Sequence, residues 1–231
     1  MKRAAWILAV VAAGAFLSSG PGTRLGWFGY GIGLRLFALT LPIALLALLL
    51  ALIAVARAKQ FTPMSILTVG VSAILVIVTG WHIAVAFRTA PIHDITTDPN
   101  DPPRLVAAVA LRGSQTNPVA YEGRKIAEWQ RRFYPDIAPL ILADDVPADA
   151  FARAMRAADA EGLNLIATEP AEGRIEGTAT TGWFGFKDDV VIRIRPDGHG
   201  SRIDIRSVSR VGRGDAGENA RRVRALLRLM R

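Results

Sequence analysis

The chain has 231 residues, a formal net charge of +8 and no cysteine, which excludes disulfides, thiolate metal sites and cysteine nucleophiles. Seven of its 28 basic residues and none of its 20 acidic residues lie within residues 1–88, where they flank apolar segments. Membrane topology therefore explains the positive charge, and we expect no nucleic-acid partner.

Three apolar segments near the N-terminus approach or reach the length of a membrane span, which needs about 20 mostly apolar residues. Ala4–Gly20 is uncharged over 17 residues, Leu36–Ala56 over 21 and Phe61–Phe87 over 27, with a helix start predicted near Met64. The first segment has an alternative interpretation as a cleaved secretory signal, because a basic start before an apolar run is also typical of signals. The two spans that follow favour a retained helix.

Basic residues in the short loops predict the orientation of these helices. With the N-terminus in the cytoplasm, four basic residues lie on the cytoplasmic side and two on the outer side: Lys2, Arg3, Arg57 and Lys59 against Arg24 and Arg35. Three spans then place the chain after Arg88 outside the cytoplasm. We expect a multi-pass protein of the bacterial inner membrane, embedded in the lipid bilayer, with its C-terminal domain in the periplasm.

The sequence predicts three parts: a membrane domain at 1–88, a Pro-rich extended tether at 89–104 and a soluble domain at 105–231. The prolines of the tether fix its backbone and remove hydrogen-bond donors. The soluble part is long enough for one domain with its own core.

Hydrophobic spacing predicts the elements of the soluble domain. The apolar run Leu105–Leu111 predicts a first strand, and Tyr121–Tyr134 has the spacing of a helix with one buried face. A second helix follows Asp145, a predicted cap, and stops at Gly162.

The remaining sequence changes to an alternation of period two and ends in a helix. Asp215 and Glu218 predict an acidic capping box at the start of that helix, and Pro196-Asp197-Gly198 is the clearest turn. The four predicted strands are Leu163–Thr168, Arg174–Trp183, Asp189–Arg195 and Arg202–Ser209. The predicted fold class is α+β, with three N-terminal transmembrane helices followed by a two-layer sandwich of antiparallel sheet and helices.

Three separated blocks resemble one known family. They are Pro91–Asp98, Gly173–Glu176 with the following Trp183–Asp189, and Arg206–Gly212. Together they are similar to the bacterial and plastid family named domain of unknown function number fourteen ninety-nine, over nearly all of residues 90–231. The resemblance implies a membrane-attached or exported domain, and it implies no reaction, ligand or catalytic residue.

Arginines on neighbouring strands are the strongest candidates for a binding site, because Arg suits bidentate binding of carboxylate or phosphate. The candidates are Arg174, Arg193, Arg195, Arg202 and Arg206, with Arg210 just beyond the last strand. Glu176 and Asp204 on the same strands favour an alternative, in which the arginines are neutralised by cross-strand pairs.

The weaker candidates are catalytic. His93 is a possible base, and Asp188 and Asp189 are possible acids or cation ligands. A turn or surface hydrogen bond explains His93 more simply, and pairing with Lys187 and strand arginines explains the two aspartates more simply. His93 and His199 are too far apart in the sequence for typical metal-ligand spacing, so no metal or cofactor is predicted.

Three functional hypotheses follow. The first is a non-catalytic periplasmic domain that binds an envelope protein, an anionic lipid or another anionic ligand through the arginines. The second is an envelope hydrolase or transferase that uses His93, Asp188 or Asp189. The third is an accessory subunit of a larger membrane complex.

Overall fold

The computed structural model describes residues 1–114 and 116–231. It divides into two compact units, one formed by Met1–Phe87 with Thr181–Gly185 and the other by Arg88–Thr180 with Phe186–Arg231. The first is helical and the second is α+β.

The helical unit confirms the three predicted apolar helices. They are α1 (Lys2–Arg24), α2 (Tyr30–Ala58) and α3 (Pro63–Arg88), and each is long and apolar enough to cross a membrane. The buried face of α1 is lined by alanines such as Ala9 and Ala12, while that of α2 includes Ala44 and Ala47. Small residues let helix backbones approach closely, which drives helix packing in a bilayer where the hydrophobic effect is weak.

The second unit contains one antiparallel sheet and confirms the predicted fold class. The sheet order is β1-β6-β5-β4-β3, and β2 also pairs with β6. The strands are β1 (Asp94–Thr96), β2 (Leu140–Leu142), β3 (Asn164–Glu169), β4 (Arg174–Thr180), β5 (Lys187–Asp197) and β6 (Gly200–Ser209). The helices are α4 (Arg124–Phe133), α5 (Pro147–Ala160) and α6 (Glu218–Met230). The predicted turn after Pro196 joins β5 to β6, with Gly198 at a φ of +60°.

The core lies between one face of the sheet and α5 and α6. Every second residue of β5 and β6 points to this face, and Ile192, Ile203 and Ile205 are fully buried there. The alanines of α5 and the apolar stripe of α6, including Leu226, pack against them. The alternation of the strands thus separates an apolar face from a charged one, as expected for an antiparallel sheet.

The predicted strand at Leu105–Leu111 is wrong, because Ala107–Leu111 forms a 3₁₀ helix. The first amides of this helix are hydrogen-bonded to a carboxylate. Glu176 accepts hydrogen bonds from the backbone N–H groups of Val106, Ala107 and Ala108 at 2.9–3.1 Å. A helical start presents such free amides together, whereas a strand would not.

Two predicted caps differ from the structure. Asp145 does not cap α5, since Val146 is the N-cap residue and the Asp145 carboxylate accepts a hydrogen bond from Arg153 at 2.9 Å. Asp215 does accept amide hydrogen bonds at the start of α6, from Gly217 and Asn219. Glu218 pairs with Arg221 at 3.1 Å, so the reciprocal half of the capping box is missing.

The segment 89–104, predicted as a tether, contains the short strand β1. Ile92 and Ile95 belong to the hydrophobic core and are at most 1% exposed. Ile95 pairs with Ser207 of β6. This segment is therefore an integral part of the folded domain.

Replacing Ile95 by Ala tests the role of β1. Because the side chain is fully buried, its truncation should lower the free energy of unfolding by about 2–5 kcal/mol. The matched control is Ile141→Ala on β2, where the side chain is 51% exposed and the loss should be about 0.5 kcal/mol or less. Urea unfolding of the detergent-solubilised chain, followed by tryptophan fluorescence, measures both, and equal losses would contradict a structural role for β1.

Candidate functional site

The face of the sheet away from α5 and α6 carries four almost fully buried carboxylates. Asp94, Glu176, Asp189 and Asp204 are at most 1% exposed. We call this surface, with the arginines that contact it, the carboxylate face. Burying an ionised carboxylate is costly unless it is paired and hydrogen-bonded, so its partners determine what this face can do.

All six arginines predicted to bind a ligand form ion pairs with carboxylates of the same domain. Arg206 donates two hydrogen bonds to Asp94, at 2.9 and 2.7 Å, and both side chains are buried. Arg210 contacts Asp189 at 2.7 Å, and Arg174 pairs with Glu172 and Glu176. The cross-strand neutralisation that Glu176 and Asp204 predict is therefore present.

The remaining three of these arginines surround Asp204. Arg193, Arg195 and Arg202 each donate to its carboxylate at 2.9 Å. The hydrogen bonds to Asp204 also raise the pKa of Arg202. We call this group, together with the loop carboxylates of Asp98 and Asp101, the arginine rim.

The rim is the accessible end of the carboxylate face. The side chains of Arg195 and Arg202 are 40% and 30% exposed. Asp101 is 61% exposed and contacts Arg193 and Arg195 at 3.2 and 2.9 Å. Asp98 is more protected, and its carboxylate also accepts the backbone amides of Asn100 and Asp101.

Residues 105–112 and 117–119, which we call the covering segment, lie on the carboxylate face and cover its inner part. Leu105, Ala108 and Val119 of this segment pack with Val191 and Val208 of the sheet.

The covering segment is also held by hydrogen bonds. Arg206 donates to the carbonyl of Val119 at 2.8 Å, and Arg112 pairs with Asp189 at 3.0 Å. Burial lowers the pKa of Arg112, and Asp189 opposes that shift. Burial likewise raises the pKa of Tyr121, which lies against Arg206, to about 12.

The three predicted catalytic side chains have separate surroundings. Asp188 faces α6 and pairs with Arg222 at 2.9 Å. Asp189 faces the opposite side, where Thr178, Arg112 and Arg210 all donate to it.

His93 borders a cleft that neither aspartate lines. Its backbone carbonyl accepts a hydrogen bond from the Ser209 amide at 2.8 Å. Among the described residues, no group of three or more His, Asp or Glu side chains is arranged to hold a metal ion.

Sequence reasoning missed Arg112 and the Asp94–Arg206 pair. Arg112 lies in a segment without periodicity, and Asp94 and Arg206 are 112 positions apart. Only the pairing of β1 with β6 brings the latter two together. No local signal identifies the pair, because Arg206 alternates with isoleucine in the same way as the more exposed Arg202.

Replacing Arg206 by Met tests the buried pair. The unpaired Asp94 carboxylate should lower the free energy of unfolding by about 3–5 kcal/mol. The matched control is Arg224→Met, which breaks the exposed pair with Asp136 and should cost about 1 kcal/mol or less. Denaturant unfolding measures both losses, and a loss for Arg206→Met no larger than the control would refute the structural role of the pair.

Comparison with known proteins identifies the family but no reaction. Residues 94–230, from β1 to the end of α6, match the family described as "Protein of unknown function (DUF1499)". The comparison with curated proteins found no match. Since the match covers more than half of the chain and includes every element of the carboxylate face, this chain belongs to the DUF1499 family.

Proposed function

We propose that this chain is a protein of the bacterial inner membrane whose periplasmic domain binds an anionic group, without catalysis, through the arginine rim. The ligand group is a carboxylate or a phosphate carried by an envelope protein or an anionic lipid. Support for the membrane location comes from three helices that are long and apolar enough to span. Support for the orientation comes from the excess of basic residues in the predicted cytoplasmic loops.

One observation carries the binding proposal. The three rim arginines converge on Asp204, and of their two other carboxylate partners, Asp98 and Asp101, the second is exposed. Asp101 is 61% exposed, and within the described residues it forms salt bridges with Arg193 and Arg195 alone. An exposed ion pair contributes about 0–1 kcal/mol, so an incoming anion can replace Asp101 at small cost. Asp204 stays in place and keeps the three guanidinium groups oriented.

The chemistry of the rim suits this exchange. Arginine presents several N–H donors in a rigid plane and binds carboxylate or phosphate through two parallel hydrogen bonds. Arg195 is the most exposed of the three. It is therefore the residue whose loss should weaken binding most directly with least damage to the fold.

No specific observation favours the competing hypothesis of an envelope hydrolase or transferase. That hypothesis requires His93, Asp188 and Asp189 to act together at one cleft. The two aspartates face opposite sides of the sheet, and each is committed to buried arginines. The accessory-subunit hypothesis instead requires other membrane subunits to co-purify with the chain, and the purification described below tests this as well.

The rim can be tested with two substitutions that should change ligand recovery in opposite directions. Arg195→Gln should reduce the recovery of the bound anionic component about tenfold, the loss expected for one charge-assisted hydrogen bond. Asp101→Asn should increase recovery, because it removes the competing carboxylate. The full-length chain is purified from native membranes in mild detergent, and co-purifying proteins and lipids are quantified by mass spectrometry.

The exposed pair between Arg224 and Asp136 provides matched controls. Arg224→Gln and Asp136→Asn should leave the co-purified components unchanged. Identical components with all four variants would refute the rim as the binding surface. Stoichiometric membrane subunits that remain with Arg195→Gln would support the accessory-subunit hypothesis instead.

The orientation can be tested with reporters. Alkaline phosphatase fused after Arg231 should be active, because the enzyme needs the oxidising periplasm to form its disulfides. A fusion after Lys59, in the predicted cytoplasmic loop, should be inactive. The opposite pair of results would place the domain in the cytoplasm and contradict the proposed location.

A further inference from the structure

A cleft of about 330 Å³ lies beside β1 and the first turn of α4, apart from the arginine rim. Its polar lining includes His93, Glu122, Lys125 and Arg213, and Ile126 and Trp129 form part of an apolar wall. Small-molecule sites typically have volumes of about 300–1,000 Å³, with an apolar lining and a few convergent polar groups. The cleft is at the small end of that range.

The cations of the cleft are not neutralised in the way that the rim arginines are. Within the part of the chain that the structure describes, Lys125 and Arg213 form no ion pair. Glu122 is the only carboxylate in the lining, and its Oε1 atom is 3.9 Å from Nε2 of His93. The two cations outnumber this one carboxylate, so the cleft has a net positive charge and favours an anion.

The His93 ring borders the cleft and forms no hydrogen bond to the described residues. Its side chain is 9% exposed, and the distance to Glu122 is too long for a hydrogen bond. Neither ring nitrogen is among the fully buried polar atoms that lack a partner, so the polar edge of the ring is open to the cleft. The ring is therefore available to form a hydrogen bond with a ligand atom in the cleft.

The first turn of α4 adds a second preference for an anion. Gly123 is its N-cap residue, and no side chain caps the free amides. Lys125 and Ile126, both in this turn, line the cleft. Helix N-termini favour negative charge because their free N–H groups and the helix dipole point toward it.

The walls of the cleft are held in place before any ligand arrives. The His93 carbonyl accepts hydrogen bonds from the Ser209 amide and the Asn219 side chain, at 2.8 and 3.1 Å. The Asn117 side chain donates to the carbonyl of Gly212 at 2.8 Å, which fixes the chain next to Arg213. Binding would therefore order little of the protein, which favours affinity.

We propose that this cleft binds a small soluble organic anion, a phosphate or carboxylate joined to an apolar or aromatic group. The anionic group contacts Lys125 and Arg213 and shares a hydrogen bond with His93. The apolar group packs on Ile126 and Trp129. This proposal is independent of the arginine rim.

Phenyl phosphate is the probe, and histidine signals provide the measurement. The chain has three histidines, so a sample labelled at histidine gives three sets of NMR signals. In nanodiscs of phosphatidylcholine, phenyl phosphate should shift the His93 signals saturably and leave those of His82 and His199 in place. Inorganic phosphate should bind more weakly, because it lacks the apolar group, and benzyl alcohol should cause no shift.

Variants of the lining should change the affinity in opposite directions. Lys125→Met and Arg213→Gln should each weaken phenyl phosphate binding about tenfold, while Glu122→Gln should strengthen it. Arg156→Gln, at an exposed arginine of α5 outside the lining, is the matched control and should have no effect. Unshifted His82 and His199 signals in each unliganded variant verify that it is folded.

Three results would overturn the proposal. They are an unmoved His93 signal, parallel shifts of all three histidines, or equal affinities in the lining variants and the control. A His93 shift that appears only when phosphatidylglycerol replaces phosphatidylcholine would assign the cleft to a lipid headgroup and reject a soluble ligand. Arg195→Gln and Asp101→Asn should leave the affinity for phenyl phosphate unchanged, so failure at the rim and failure at the cleft are distinguishable.

Discussion

Pairing of buried carboxylates with arginine is the constraint on which the α+β domain depends. Asp94, Glu176, Asp189 and Asp204 are at most 1% exposed, and each would be strongly destabilising if left alone. Their partners include strand arginines and the covering segment, whose amides and Arg112 bind Glu176 and Asp189. The same contacts that neutralise the charges therefore hold this segment against the sheet. Most of the charged face is consequently interior, and the arginine rim is its accessible end.

The two proposed anion sites, the rim and the cleft, differ in what binding would require. At the rim, an anion must replace Asp101, so binding exchanges one ion pair for another, and its net gain depends on bidentate geometry with Arg193 and Arg195. At the cleft, Lys125 and Arg213 form no ion pair within the described residues, so an anion adds contacts without breaking any. For this reason we propose a group presented by a larger surface as the ligand of the rim, and a small molecule as the ligand of the cleft.

The two units are stabilised by different kinds of packing. In the helical unit, small residues such as Ala12 and Ala44 allow close backbone contact, since lipid provides little hydrophobic drive between helices. In the α+β unit, large aliphatic side chains such as Ile205 and Leu226 fill the space between sheet and helices, where exclusion of water is the main driving force. The small residues of the helical unit thus fit packing in a bilayer, and the large aliphatic residues of the α+β unit fit packing in water.

The sequence by itself determined the features that depend on local periodicity. Apolar length predicted the three helices, alternation predicted β3 to β6, and the glycine after Pro196-Asp197 predicted the turn between β5 and β6. Only the tertiary structure decided the rest. The three-residue strand β1 is too short to show a period, and the 3₁₀ helix at Ala107–Leu111 depends on Glu176, about 70 positions away. The pair between Asp94 and Arg206, 112 positions apart, likewise forms only when β1 joins β6. Such contacts are set by the three-dimensional meeting of chain segments, and no local pattern encodes them.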